Sequence, residues 1–197
     1  MDIAKIKELR ERTGAGVLDC KNALISTKGD IDKAVDYLRK KGIAKAEKKL
    51  ERKTEEGIIE AYIHPGAKLG VLVELGCETD FVAHTEEFKR LARDIAMQIA
   101  AVNPICISRN DIPEDRLKRE REIYEAQAKE LGKPDKIIER IVASKMENFY
   151  KEACLLEQSF IKQPDMTIDD LLKEHITKLG ENIRVNRFVR FKIGEKS

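Results

Sequence analysis

The apolar residues of this chain keep a helical period at first and then switch to a strand period, and the switch restricts the folds open to it. Up to about residue 40 they recur three and four apart, as a helix needs to bury one side. From Gly57 they recur at every second residue, the pattern of a strand with one face in a core. The opening segment reads as three short helices. The first carries Ile3, Ile6 and Leu9 on one side and stops at Thr13-Gly14-Ala15-Gly16. The second runs from about Val17, with Cys20, Ala23 and Leu24 at helical spacing. The third opens at Asp30, an N-cap, places Ile31, Ala34, Val35 and Leu38 on one face, and takes Gly42 as its stop signal.

Residues 39–53 then hold eight Lys or Arg against two Glu and show no convincing apolar stripe. They read as an exposed, partly helical linker. Beyond it, Ile59, Ala61 and Ile63 are expected inward, followed by a turn at His64-Pro65-Gly66-Ala67 and a second strand with Val71, Val73 and Leu75 inward. A third strand spans Ile183 to Ile193, with Ile183, Val185, Val189, Phe191 and Ile193 on one face and a break at Arg187 and Phe188. Helices fill the interval: a stripe of Phe88, Leu91, Ile95, Ile99 and Val102, a charged helix from Glu114 to Leu131, another with Ile138, Ile141, Val142, Met146 and Phe149, and a short one from Thr167 to Gly180. Two strands, a run of helices and a closing strand predict an α+β core in which a three-stranded antiparallel sheet packs with helices. The expected organisation is a three-helix module at 1–40, a basic linker at 41–55 and the core at 56–197.

Composition removes several functions. The charged fraction is 38%, yet the net charge is only +2, so the chain is not a polycation built for nucleic acid. The linker holds no aromatic on which bases could stack, and no direct nucleic-acid partner is expected. Four cysteines with no CxxC pair suit reduced thiols in the cytoplasm. No apolar run is long enough to span a bilayer, and the N-terminus enters a charged amphipathic pattern at once, so neither a membrane partner nor a signal peptide is expected. His64, His84 and His175 lack metal-ligand spacing, no GxxxxGK[ST] loop is present, and a Cys77–His84 nucleophile is disfavoured against a buried strand cysteine.

That leaves CETDFVA, residues 77–83, after the second strand. Phe81 lies seven residues before Phe88 and on pattern alone extends the same core stripe. Thr85, Glu86 and Glu87 favour a helix that starts later, with Thr85 as its N-cap. Asp80 and Phe81 then sit in a loop, with the ring free for another molecule.

Residues 9–24, LRERTGAGVLDCKNAL, and 74–83, ELGCETDFVA, resemble the signature segments of the translation elongation factor Ts family. GKPDKIIERIV, FYKEACLLEQSFIK and NIRVNRFVRFKIGE continue the resemblance in order along essentially the whole chain. The resemblance implies a guanine nucleotide exchange factor for elongation factor Tu, with no covalent chemistry and no cofactor of its own, since Mg2+ and GDP belong to the partner. It implies that the N-terminal module, similar to a ubiquitin-associated domain, docks through Arg10, Val17 and Leu18, with core packing as the alternative for Val17 and Leu18. It further implies that Thr79, Asp80, Phe81 and Val82 form the exchange element, with Phe81 inserted near the partner's switch region. The chain resembles the short bacterial form, which implies a homodimer. His64, at the hairpin tip, is a candidate interface residue beside its reading as a plain turn residue.

Overall fold

The computed structural model describes residues 2–132 and 134–195. In chain order it forms helices α1 (Ile3–Thr13), α2 (Val17–Ser26) and α3 (Ile31–Glu47), strands β1 (Glu56–Ile63) and β2 (Leu69–Cys77), and helices α4 (Asp80–Ala83) and α5 (Glu86–Val102). Helices α6 (Glu114–Lys129) and α7 (Asp135–Ala153), strands β3 (Ser159–Phe160) and β4 (Gln163–Thr167), helix α8 (Ile168–Leu179) and strand β5 (Ile183–Lys192) complete it. Helices and a three-stranded antiparallel sheet of order β1-β2-β5 make the fold α+β, as the period change predicts. The chain divides into two compact units: the residues up to 58 with 75–88 and 170–184, and residues 59–74, 89–169 and those from 185 on.

In the first unit, Leu9, Cys20, Ala23, Leu24, Ala34 and Leu38 form one small core, with Ile6, Ile31 and Val35 packed on it. Asp2 caps α1 and Asp30 caps α3, each side chain accepting a backbone N–H of the first turn. Gly14 ends α1 in the left-handed conformation, φ 66°, and returns its N–H to the Arg10 carbonyl. Two expectations fail here. Ile3 is exposed, because the first turn of α1 extends past the three-helix core. Gly42 does not stop α3, which continues to Glu47. A mid-helix glycine costs about 1 kcal/mol in propensity, but this one is buried against α8. The Thr177 hydroxyl donates to the Gly42 carbonyl at 2.9 Å, and a Cβ at 42 would stand 3.3 Å from Thr177.

In the sheet, Val71, Val73 and Leu75 of β2 are buried as expected. β1 presents the face opposite to the expected one: Ile59, Ala61 and Ile63 are exposed, while Ile58, Glu60 and Tyr62 are half-buried. Register is the cause. The hairpin closes with the His64 N–H on the Leu69 carbonyl, so stepping back along an antiparallel ladder sets Ile63 opposite Gly70 and Ala61 opposite Leu72, on the face away from Val71 and Val73. Glu60 tolerates its half-buried place because Arg93 of α5 reaches it at 3.5 Å. In β5, Ile183 and Val185 are buried, but the burial phase inverts at Arg187–Phe188. Beyond that break Phe188 and Arg190 turn inward, and Val189, Phe191 and Ile193 face solvent instead of joining the inner stripe.

The second unit contains most of α5, whose Leu91, Ile95 and Ile99 are buried as expected; Val102, at its end, is exposed. Helices α6 and α7 pair as a hairpin over Ala128, Ile138, Val142 and Met146. The β3–β4 ribbon is not foreseen by the sequence reading. It docks through Gln98 of α5, a buried amide that donates to the Gln158 side chain and the Ser159 carbonyl and accepts from the Ile161 N–H.

Candidate functional site

The chain leaves β2 at Cys77 and must reverse within a few residues to enter α5. Thr79 makes the reversal possible. Its backbone is extended (φ −131°, ψ 149°), and its hydroxyl oxygen accepts the Val82 N–H, which caps the single helical turn α4. Thr85 caps the next helix in the same way, accepting the Phe88 N–H at 3.2 Å. Thr85 therefore starts α5 as the sequence implies, but Asp80 and Phe81 lie in a capped helical turn of their own and not in an open loop. Two helical segments broken at His84–Thr85 also remove Phe81 from the Phe88 stripe.

The capped turn has a buried side and a bare side. Val82 and Ala83 are buried and anchor it. Phe81 is 84% exposed, the most exposed large apolar side chain among the described residues. Asp80 lies beside it, and His84 folds back, with Nδ1 at 2.8 Å from the Asp80 carbonyl oxygen and 3.0 Å from its carboxylate. Of the four residues predicted for an exchange element, Thr79 shapes the turn, Val82 roots it, and Asp80 and Phe81 are presented to solvent.

A carboxylate clamp holds the turn. Glu181, just before β5, accepts the Glu78 N–H at 3.1 Å, the Thr79 N–H at 3.0 Å and the Thr79 hydroxyl at 2.6 Å. Glu78 reciprocates by accepting the Asn182 N–H at 2.6 Å, and Arg52 approaches it at 3.4 Å. The buried Asn182 amide donates to the carbonyls of Leu50 and Arg52. Three chain segments are tied together at the entrance to the turn that carries Phe81. The sequence reading missed Glu181 and Asn182, and nothing local marks them, because their partners lie about a hundred residues away.

In the three-helix module, Arg10 lies in the last turn of α1 and Val17 and Leu18 in the first turn of α2. Neither apolar side chain packs inward: Val17 is 54% and Leu18 69% exposed. The start of α2 is fixed to α3 by Asp19, which takes Lys41 at 3.0 Å and Lys45 at 2.9 Å. Hydrogen bonds from Lys45, then Lys41, hold its carboxyl below the usual range.

The family model described as elongation factor Ts matches residues 19–195. The chain belongs to the elongation factor Ts family. Among curated proteins of that name, the one from Caldanaerobacter subterraneus subsp. tengcongensis is 59% identical over 96% of this chain and 95% of its own length. Those from Carboxydothermus hydrogenoformans (58%, over 96% of this chain and 88% of its own) and Desulfosudis oleivorans (56%, over 96% of each) are alike.

His64 is exposed at the hairpin turn, its Nδ1 3.0 Å from the Tyr62 hydroxyl. Cys77 is a buried thiol that donates to the Thr79 carbonyl, and burial pushes it up to about 11. His175 hydrogen-bonds along its own helix to Leu171 and lies 3.2 Å from Glu87, a helix-face role. Several cations of the basic segment are spent internally: Lys41 and Lys45 on Asp19, Lys49 on the Gly180 carbonyl, Arg52 on Glu78. Among the described residues no helix is long and apolar enough to cross a membrane.

Proposed function

We propose that this chain is a cytoplasmic guanine nucleotide exchange factor that binds elongation factor Tu and expels GDP by inserting Phe81. One observation supports the reading above the others: a phenyl ring 84% exposed on a turn that is capped, anchored and clamped. An aromatic left bare in water gains nothing for its own fold. Buried in a partner it contributes about 2–3 kcal/mol, and a pre-ordered turn loses little entropy on binding.

The partner holds GDP through a magnesium ion and backbone amides whose strength depends on fixed geometry. A ring driven between helices beside that site shifts those groups and weakens many contacts together, with the Asp80 carboxylate acting next to it. The factor itself contributes no cofactor, because Mg2+ and GDP sit in the GTPase. If the factor binds nucleotide-free Tu more tightly than the GDP form, GDP binds the complex more weakly by the same ratio. A thousandfold faster release corresponds to a barrier lower by about 4 kcal/mol. Arg10, Val17 and Leu18 dock the N-terminal module on the GTPase domain and hold the factor in place while the wedge acts.

The same reading makes the factor a homodimer. An antiparallel sheet with one buried face leaves the other to solvent or to a partner, and here the outer face carries Ile59, Ile63, Leu72, Val189, Phe191 and Ile193. An apolar face of this kind suits a second copy of itself, because an isologous pairing covers both at once. His64, at the edge of that hairpin, then lies near the pairing or the GTPase contact. The test is stopped-flow release of a fluorescent GDP from elongation factor Tu. The reading expects this protein to accelerate release by about a hundredfold or more, and unchanged release at micromolar factor overturns it.

A further inference from the structure

Two of the four cysteines that look isolated in sequence meet in space. Cys106 and Cys154 are 48 positions apart, and their sulfurs stand 3.7 Å from each other, in van der Waals contact. The backbone around them forms a parallel bridge: the Cys106 N–H donates to the Ala153 carbonyl at 3.2 Å, and the Leu155 N–H donates to the Cys106 carbonyl at 2.9 Å. Directly paired positions of neighbouring strands lie about 4.8 Å apart, inside the range of roughly 4.4–6.8 Å over which a disulfide spans two Cα atoms. The side chains already point at each other, so closing to the bond length of about 2 Å needs side-chain rotation and little backbone movement.

The pair sits at a neck. Residues 107–153 contain the α6–α7 hairpin, and Cys106 and Cys154 flank its base within the second unit. Hydrogen bonds brace the neck on both sides of the thiols. Ile105 N–H also bonds the Ala153 carbonyl, and Leu156 N–H bonds the Ile107 carbonyl. Arg109 lies over the Tyr150 ring at 4.2 Å, reaches Glu147 at 2.7 Å and bonds the Glu157 carboxylate. Ile112 and Ala153 complete the small core around the sulfurs. Nothing in the exchange mechanism uses these thiols.

We propose that Cys106 and Cys154 are a dithiol–disulfide couple that clasps the base of the α6–α7 hairpin when the protein is oxidised. The balance is that of ordinary thiol–disulfide exchange. One thiolate attacks a small-molecule disulfide such as oxidised glutathione and expels one thiol. The second cysteine then attacks the mixed disulfide and expels the other. Two S–H bonds are lost from the protein, one S–S bond forms, and the reagent is reduced to two thiols. Both thiols are buried, and burial pushes Cys154 up to about 12, so little thiolate exists in the closed neck. The reaction therefore proceeds through local opening, slowly at low temperature and faster on warming. Once made, the bond closes a long loop and removes much of the hairpin's unfolded freedom.

The experiment uses the full chain, incubated with and without oxidised glutathione at mildly elevated temperature. Peptide mass mapping without reduction and a calorimetric melt follow. The expected result is a Cys106–Cys154 cross-linked peptide, lighter by two hydrogens, with a melting temperature raised by about 5–10 °C. Dithiothreitol reverses both, and Cys106→Ser abolishes both while Cys20→Ser leaves them intact. Because the wild-type chain alone gives the cross-link and the melt, poor folding of a variant does not blunt the test. Free thiols at 106 and 154 after oxidation overturn the proposal. So does pairing with Cys20, Cys77 or another chain, or a bond that forms but lowers the melting temperature.

Discussion

Replacing Glu181 with alanine removes the carboxylate that takes two backbone N–H groups and a hydroxyl at the entrance to the turn that carries Phe81. Hydrogen bonds to a charged acceptor are worth about 1.5–3 kcal/mol each when protected. This clamp is half-exposed, and water replaces part of each bond. About 1 kcal/mol for each N–H is a fair discount, so the turn loses about 2 kcal/mol of local order. Two kilocalories shift that order–disorder equilibrium about thirtyfold, so a turn ordered about nine-tenths of the time falls to about a quarter, and the concentration of factor giving half-maximal GDP release rises about fourfold. At saturation the partner itself re-orders the turn, so the maximal release rate changes less than about threefold. Glu181→Gln keeps an acceptor for both N–H groups and a donor toward the Thr79 hydroxyl, and it recovers most of the loss. The assay is stopped-flow GDP release titrated with each variant, paired with hydrogen exchange at residues 78 and 79. Faster exchange at those amides with an unchanged half-saturation point refutes the claim that order in this turn matters. Unchanged amide protection refutes the claim that Glu181 supplies it.

Asp19→Asn loosens α2 from α3 and lowers the melting temperature by about 2–4 °C at pH 7, since exposed lysines make each pair worth little. Its folded-state pKa is depressed below the ordinary 3.8, so that stabilisation is complete above 3.8 and fades as pH falls through the lower folded value. The melting curves of the two proteins should converge in acid. Gly57→Ala puts a Cβ 2.2 Å from the Leu75 carbonyl oxygen at φ 151° and should cost about 3 kcal/mol or more in urea unfolding. Phe191→Asp should shift sedimentation from dimer to monomer without loss of helix content by circular dichroism.

The sequence carried the architecture well where one period ran unopposed. The stripes of α2, α5 and α7 and the inner face of β2 are where their spacing predicts. β1 was ambiguous because Ile58 and Ile59 put apolar side chains on both faces, and only the hairpin register chooses between them. β5 reads as one stripe until Arg187 and Phe188, where the phase slips. Gly42 reads as a stop because its partner, Thr177, is distant in sequence. At the candidate site the same limit applies. Thr79, Asp80 and Phe81 stand out locally, yet the spacing from Phe81 to Phe88 fits a core stripe equally well. The two threonine caps decide it by breaking the helix at His84. Glu181 and Asn182 left no local trace at all.

Phe81→Ala, measured in two ways, tests whether the Phe81 ring is held outside its own fold to act on a partner. Stopped-flow GDP release from elongation factor Tu should slow by about ten- to a hundredfold, while the melting temperature of the variant stays within about 1 °C of the parent. A melting temperature lower by several degrees together with an undiminished release rate would return the ring to the protein's interior and contradict the account.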